Sequence, residues 1–420
     1  MNERTHGLKD LFGSVPDAGG TPPKPAASAP AAAPRQDAPA AERAASGGHG
    51  LSGLGAPAPV IEGVPPTPDL PPSPLPPEPA AAPAPRAAPS YQPSSGAAGL
   101  VPPLAVVLVA RSGWKQARRT VEALRQQTAA AQVALLLVSP DTPPAAEVPS
   151  EFGAIEHVPV ARDAAYGKAA AAGLRAARSD LVALLDDYAF PAGDWAEHVL
   201  SHRHEGFAAL GGAFGNANPR SRYAWANMLL EHGAWREGSG GGEVTGLPGR
   251  NVVFRREALE AVDGQLVELL ARENGLTDKL AQAGGRLILD PEARLALLNP
   301  STLRDTLRAR YAAGRLAAAE ERAAMKPIGR FARAVPAALG GYGRFRKSRS
   351  RLFAGGAEVN PKLHGSAVLL GFVSEGLGRA AGLVRGPGKA QATREKLAER
   401  RYETLNKVDR RQFAADRKKR

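Results

Sequence analysis

At 420 residues the chain has room for two or three domains of the usual ~150 residues, but 22 Pro and 22 Ala among the first 100 positions leave that quarter too poor in bulky side chains to build a core. Zero cysteines exclude disulfide staples, thiol nucleophiles and thiolate metal sites. The net charge of +13 is concentrated after position 300, where 28 Lys and Arg stand against 10 Asp and Glu.

Residues 1–103 read as a disordered Pro/Ala-rich arm, with polyproline-favouring runs such as Pro71-Pro72-Ser73-Pro74. The start lacks the apolar stretch of a signal peptide, and no run approaches the ~20 apolar residues of a bilayer span. The expected location is therefore cytoplasmic or peripheral on the inner face of the cell membrane. Ordered structure begins at Leu104, where Leu-Ala-Val-Val-Leu-Val-Ala110 is a continuous apolar run of the kind found in buried parallel strands. A helix is predicted over 114–131, strands over 133–138 and 154–160, an Ala-rich helix over 167–177, and a fourth strand over 181–185. That order implies an α/β fold with a mostly parallel sheet flanked by helices.

The fourth strand runs into Asp186-Asp187-Tyr188. Ligands of open α/β sheets sit beyond the carboxyl ends of the strands, so two acids there face the expected cleft, where they could hold a divalent cation. A plain turn with an Asp cap is the alternative. Farther on, Gly246-Leu-Pro-Gly-Arg-Asn251 continues into Arg255-Arg256, and Glu273-Asn274 precedes the predicted strand Arg286-Leu-Ile-Leu-Asp-Pro-Glu-Ala293.

From Val106 to Arg315 these residues, in this order, resemble the inverting GT-A glycosyltransferases grouped as family 2. The first strand, the small-residue helix before Leu184-Leu-Asp-Asp-Tyr188, the Pro191-Ala-Gly-Asp-Trp195 segment, the Gly246–Asn251 loop and the acidic pair at Glu273 carry the resemblance. It implies a nucleotide-diphospho-sugar transferase fold and transfer of a sugar from a UDP- or GDP-sugar to a hydroxyl of a glycan, lipid or cell-envelope polysaccharide, with inversion. It further implies donor binding by Ala110, Arg111, Asp141, Lys168, Asp186 and Asp187, with Asp187 as ligand of Mg²⁺ or Mn²⁺. Glu273 is implied as the base, and Arg250, Asn251 and Arg315 on the acceptor side. The sequence departs from the family at three places: Tyr188 replaces the acid that commonly ligates the metal, Asn274 replaces the acid most often assigned as base, and Leu297 stands where a histidine is frequent. Two readings follow, a divergent enzyme using Glu273 and fixed cations, or a non-catalytic scaffold of the same fold that binds a partner or membrane.

The remaining features have mainly structural readings. Trp225 and Trp235 read as core residues, with sugar stacking as the alternative. His198, His202 and His204 read as a solvated helix face, and Gly238–Gly242 as a flexible loop. Residues 301–387 form a basic helical extension in which Phe331, Val335, Leu339, Tyr342 and Phe345 alternate with Arg, a mixture suited to an anionic membrane interface or to helical packing. The segment 364–384 reads as too short and too polar to span. Residues 388–420 read as a solvated charged helix or tail, without a nucleic-acid-binding motif.

Overall fold

The computed structural model describes residues 92–93, 101–144, 150–354 and 359–418. Apart from Gln92–Pro93 and residues 101–103, the Pro/Ala-rich arm lies outside the described residues. Gln92–Pro93 is a two-residue edge strand, β1. Leu104–Val109, with no polar side chain to offer water, becomes the fully buried strand β2. The pleat sends Leu104, Val106 and Leu108 into one core layer, and Ala105, Val107 and Val109 into the layer on the other face. Helix α1 (Trp114–Arg125) buries Ala117, Val121 and Leu124 on the first of these faces.

Strand β3 (Val133–Ser139) is likewise fully buried and β4 (Ala154–Pro159) alternates buried and half-buried. Helix α2 (Tyr166–Ala176) covers the second face, and β5 (Leu181–Asp186) follows. These four strands are parallel, in the order β4-β3-β2-β5. The chain continues through β6 (Ala189–Pro191), α3 (Trp195–Ser201), β7 (Ala209–Asn216), α4 (Arg222–His232), β8 (Gly242–Val244) and β9 (Val252–Arg255). Three short helices, α5 (Arg256–Glu260), α6 (Leu266–Ala271) and α7 (Gly275–Gln282), lead to the long strand β10 (Leu287–Leu297). Strand β9 lies antiparallel between β5 and β7, and β10 runs parallel to β7, so one sheet spans the fold with helices on both sides. The expected α/β architecture is present, and β10 runs four residues beyond the predicted end at Ala293.

Helix α8 (Leu303–Ala323) starts at Thr302, whose hydroxyl accepts from the Asp305 amide. It is followed by α9 (Pro327–Leu339), α10 (Gly341–Leu352), α11 (Pro361–Arg385), α12 (Ala390–Glu399) and α13 (Lys407–Lys418). Two expectations change here. The segment read as too short to span is part of a 25-residue helix, α11, which by length and composition alone could cross a membrane. It lies against α8 through its small residues. A Cβ at Gly378 would sit 2.1 Å from the Tyr311 carbonyl oxygen and one at Gly382 2.3 Å from that of Arg315, so these glycines let the two backbones approach.

The expected solvated tail folds back onto the end of the sheet. Leu405 is 1% exposed, and buried Asp409 accepts from the Asn218 and Asn406 side-chain amides. Ser301 and the 404–406 segment exchange two further hydrogen bonds: the Ser301 amide donates to the Thr404 carbonyl at 3.1 Å, and the Asn406 amide donates to the Ser301 hydroxyl oxygen at 2.8 Å. Neither helical periodicity nor charge count could show this, because only a few apolar positions of the segment carry the contact.

Candidate active site at the strand ends

From β2 the chain moves to β3 and β4 on one side and then returns to β5 on the other, so the strand order reverses between β2 and β5. A crevice opens beyond the carboxyl ends at such a reversal. Val109 and Asp186 are register partners there, which puts Asp186 and Asp187 at its mouth.

Asp186 is 2% exposed and held from several sides. Its amide donates to Asn251 Oδ1 at 2.9 Å, the Asn251 amide nitrogen lies 3.5 Å from Asp186 Oδ2, and Arg250 approaches Oδ1 to 3.8 Å. Arg250 also lies over the Tyr166 ring, 3.4 Å from its centroid. Asn251 is the one non-glycine with positive φ among the described residues, at 58°. Asn is among the few residues that tolerate this left-handed conformation, and strain of this kind collects where a side chain must be aimed.

Asp187 lies just past the end of β5 and is 5% exposed. Burial, with repulsion from Asp186, pushes its carboxyl up to about 8, against the opposing pull of Arg401 and Arg111. Tyr188 lies under the Arg401 guanidinium, 4.3 Å from the ring centroid, and burial beside Asp186 keeps its phenol protonated.

The opposite wall is built by the two motifs following the sheet's midpoint. Asn274 Oδ1 accepts from the Gly249 amide at 3.0 Å, and a Cβ on Gly249 would lie 1.9 Å from the Glu273 carbonyl oxygen. Only glycine permits this approach, and it sets the Arg250–Asn251 corner beside Glu273. The half-exposed Glu273 carboxylate bonds Arg394 at 2.9 Å. Behind it, Glu231 pairs with buried Arg310 and lies 3.9 Å from Arg394 and 4.0 Å from His232. Burial raises the Glu231 carboxyl, but Arg310, His232 and Arg394 outweigh it and hold the group well below the usual carboxylate range. His232 is pushed down by burial and by Arg310, with Glu231 opposing, and so tends to be neutral.

Asp186, Arg250, Asn251 and Glu273, each singled out from sequence, thus line one cleft. Ala110, Arg111 and Asp141 sit at the neighbouring ends of β2 and β3. There Arg111 bonds the Ala164 carbonyl at 3.1 Å and Glu395 at 3.4 Å, and Asp141 pairs with Arg162 at the surface. Lys168 is exposed on α2 and Arg315 bonds the Gly386 carbonyl at 2.9 Å, and neither lines the cleft. On the same helix Arg310, five residues earlier, lines this cleft, while Arg315 ties α8 to the end of α11.

Trp235 lines the cleft, its indole donating to the Gly246 carbonyl at 2.9 Å, whereas Trp225 is core and donates to Pro219. His202 bonds Glu205 at 2.9 Å and Asp290 at 3.0 Å, tying the end of α3 to β10, so it is not merely solvated. Sequence reasoning missed Glu231, His232, Arg310, Arg394, Glu395 and Arg401. The last three reach the cleft from α12 and the turn after it. Ser112 Oγ donates to the Glu399 carbonyl at 2.5 Å, which fastens α12 over the end of β2. The covered cleft encloses only about 90 Å³.

The donor set does not fit a resident divalent cation. Asp186 is engaged by Arg250 and Asn251, Asp187 has its carboxyl raised by burial and by Asp186 and two guanidiniums as neighbours, and Tyr188 is a neutral phenol. No group of three His, Asp or Glu placed to share an ion occurs among the described residues.

No protein-family model and no curated protein matches the chain. Solved structures with a partly similar backbone path include S. aureus TarS, at 13% identity over 52% of this chain and 39% of that one, with a TM-score of 0.36. Another is the mannosyltransferase PcManGT from Pyrobaculum calidifontis in complex with GDP-Man and Mn²⁺, at 16% identity over 74% of this chain and 83% of that one, TM-score 0.37. A third is TarS 1-349 in complex with UDP-GlcNAc, at 11% identity over 46% and 57%, TM-score 0.34. The chain thus spans about two fifths of full TarS. At such scores these likenesses say nothing about individual residues.

Proposed function

We propose that the chain is a glycosyltransferase that moves a sugar from a nucleoside-diphosphate donor to a hydroxyl acceptor with inversion. The observation that carries this reading is the convergence, at the sheet's reversal point, of Asp186 locked by a left-handed Asn251 with Glu273 across the Gly249 close approach. In a single displacement the acceptor oxygen forms a bond to the anomeric carbon as the bond from that carbon to the diphosphate oxygen breaks. Glu273 takes the acceptor's proton, because a neutral hydroxyl is a poor nucleophile. The departing diphosphate gains negative charge near Arg111 and Arg401, which supply fixed cations in place of a metal. The acceptor class favoured is a glycan or lipid-linked saccharide of the cell envelope.

The non-catalytic scaffold reading is favoured by one observation, the roughly 90 Å³ left under α12, which is below the ~300 Å³ of small-ligand sites. Calorimetry of the full chain with UDP, GDP and their sugars, followed by assay of nucleoside diphosphate release with a panel of acceptors, separates the two. The enzyme reading expects donor binding that survives chelation and turnover that falls about 10²- to 10⁴-fold in Glu273→Gln with binding intact. Binding without turnover in any condition, or no binding of any nucleotide, rejects it for the scaffold.

A further inference from the structure

The five most exposed large apolar side chains among the described residues are Ile328, Leu339, Val335, Phe331 and Tyr342, at 85, 77, 63, 62 and 61%. They are not scattered. Ile328, Phe331, Val335 and Leu339 follow at intervals of three, four and four on α9, so they form one stripe along its outer face. Tyr342, also exposed, follows three positions after Leu339 at the start of α10. The helix is itself anchored: Ala334 is buried against Ala318 and Leu383, and the α10 end abuts Val373 of α11 at Gly341. The stripe is therefore held outward by packing on its other side.

Charge specifies the occupant. Between 326 and 351 there are eight Lys or Arg and no Asp or Glu. Arg346 and Arg349 stand four and seven positions after Tyr342, on the same face of α10. Lys326, Arg333, Arg346, Lys347, Arg349 and Arg351 are exposed and, among the described residues, make no ion pair. A second copy of this chain would bring two such cationic faces together, which repel. A surface that is both apolar and anionic, offering acyl chains to the stripe and phosphates to the arginines, matches both properties.

We propose that α9 and α10 form a docking surface for an anionic phospholipid bilayer, with Ile328, Phe331, Val335 and Leu339 entering the headgroup boundary and Arg346 and Arg349 meeting lipid phosphates. This does not depend on the glycosyltransferase reading. The test is sedimentation of the full chain with phosphatidylcholine vesicles, alone or with phosphatidylglycerol. The protein is expected to bind the phosphatidylglycerol vesicles and to leave neutral ones largely unbound. Ile328→Ser/Phe331→Ser/Leu339→Ser and Arg346→Glu/Arg349→Glu are each expected to weaken binding by at least about tenfold, with thermal melts by circular dichroism unchanged because all five side chains are exposed. The proposal fails if the chain binds neither vesicle, or if either folded variant binds as well as the wild type. It fails equally if light scattering shows a dimer that the triple variant dissolves while vesicles are ignored, since the face would then belong to a second copy.

Discussion

Helices α9 and α10 and the segment from α12 to α13 are composed of much the same residues, small side chains and a high density of Arg and Lys, yet they meet their surroundings in opposite ways. The first pair turns its apolar stripe to the outside and holds no acid. The second folds inward: Leu405 and Asp409 are buried, Arg394 grips Glu273, and Arg401 lies over Tyr188. Acidic residues make the difference. Glu395 and Asp409 give the second segment acidic side chains that Arg111 and Asn218 of the sheet domain bond, whereas α9 and α10 carry no acid. Basic character in a helix therefore does not decide exposure. What matters is whether a complementary group is placed within reach.

The contrast can be broken most strongly at Glu231. Glu231→Gln leaves Arg310, 4% exposed, without its carboxylate and should cost about 3–5 kcal/mol at neutral pH. The folded state holds this carboxyl below its ordinary 4.5, so its stabilisation is present above that pH and is lost as pH falls through the lower folded value. The melting-temperature gap between wild type and variant should accordingly narrow below about pH 4.5. A gap that stays constant from pH 7 to pH 3 would show that the charge is not the cause.

Leu405→Ala should cost about 2–5 kcal/mol by opening a cavity under the C-terminal segment. Limited proteolysis should then release α13 earlier than in the wild type. Asp409→Ala, which strips the Asn218 and Asn406 amides of an acceptor, should cost about 1–3 kcal/mol in urea unfolding. Smallest of all, Phe331→Ala on the outward stripe should change stability by no more than about 0.5 kcal/mol. A large loss there would mean that the stripe is packed in solution, which would erase the contrast.

Much of the sheet was legible in the sequence because β2, β3 and β5 are unbroken apolar runs, and a strand buried on both faces needs little beyond its own composition. The acidic pair at the end of β5 was legible for a related reason, since a polar residue directly after such a run must lie at the sheet's edge. The Gly246–Asn251 loop and Glu273–Asn274 could be recognised as motifs, but their meeting at Gly249 could not be seen, nor the left-handed Asn251 that pins Asp186. That Arg310 lines the cleft and Arg315 does not could not be seen either, because the helix was visible and its rotation about its axis was not.

By itself the chain determined which segments are strands and helices, where the acids fall at the strand ends, and which stretch has no core-forming residues, because these follow from local hydrophobic period and composition. The tertiary structure alone decided that the C-terminal segment covers the cleft, that Glu273 and Glu231 share it with Arg394, and that α9 faces outward. The covering of the cleft depends on contacts between residues more than one hundred positions apart, such as Arg394 with Glu273 and Asp409 with Asn218, and the outward turn of α9 on its packing against α8 and α11, and no local pattern encodes either.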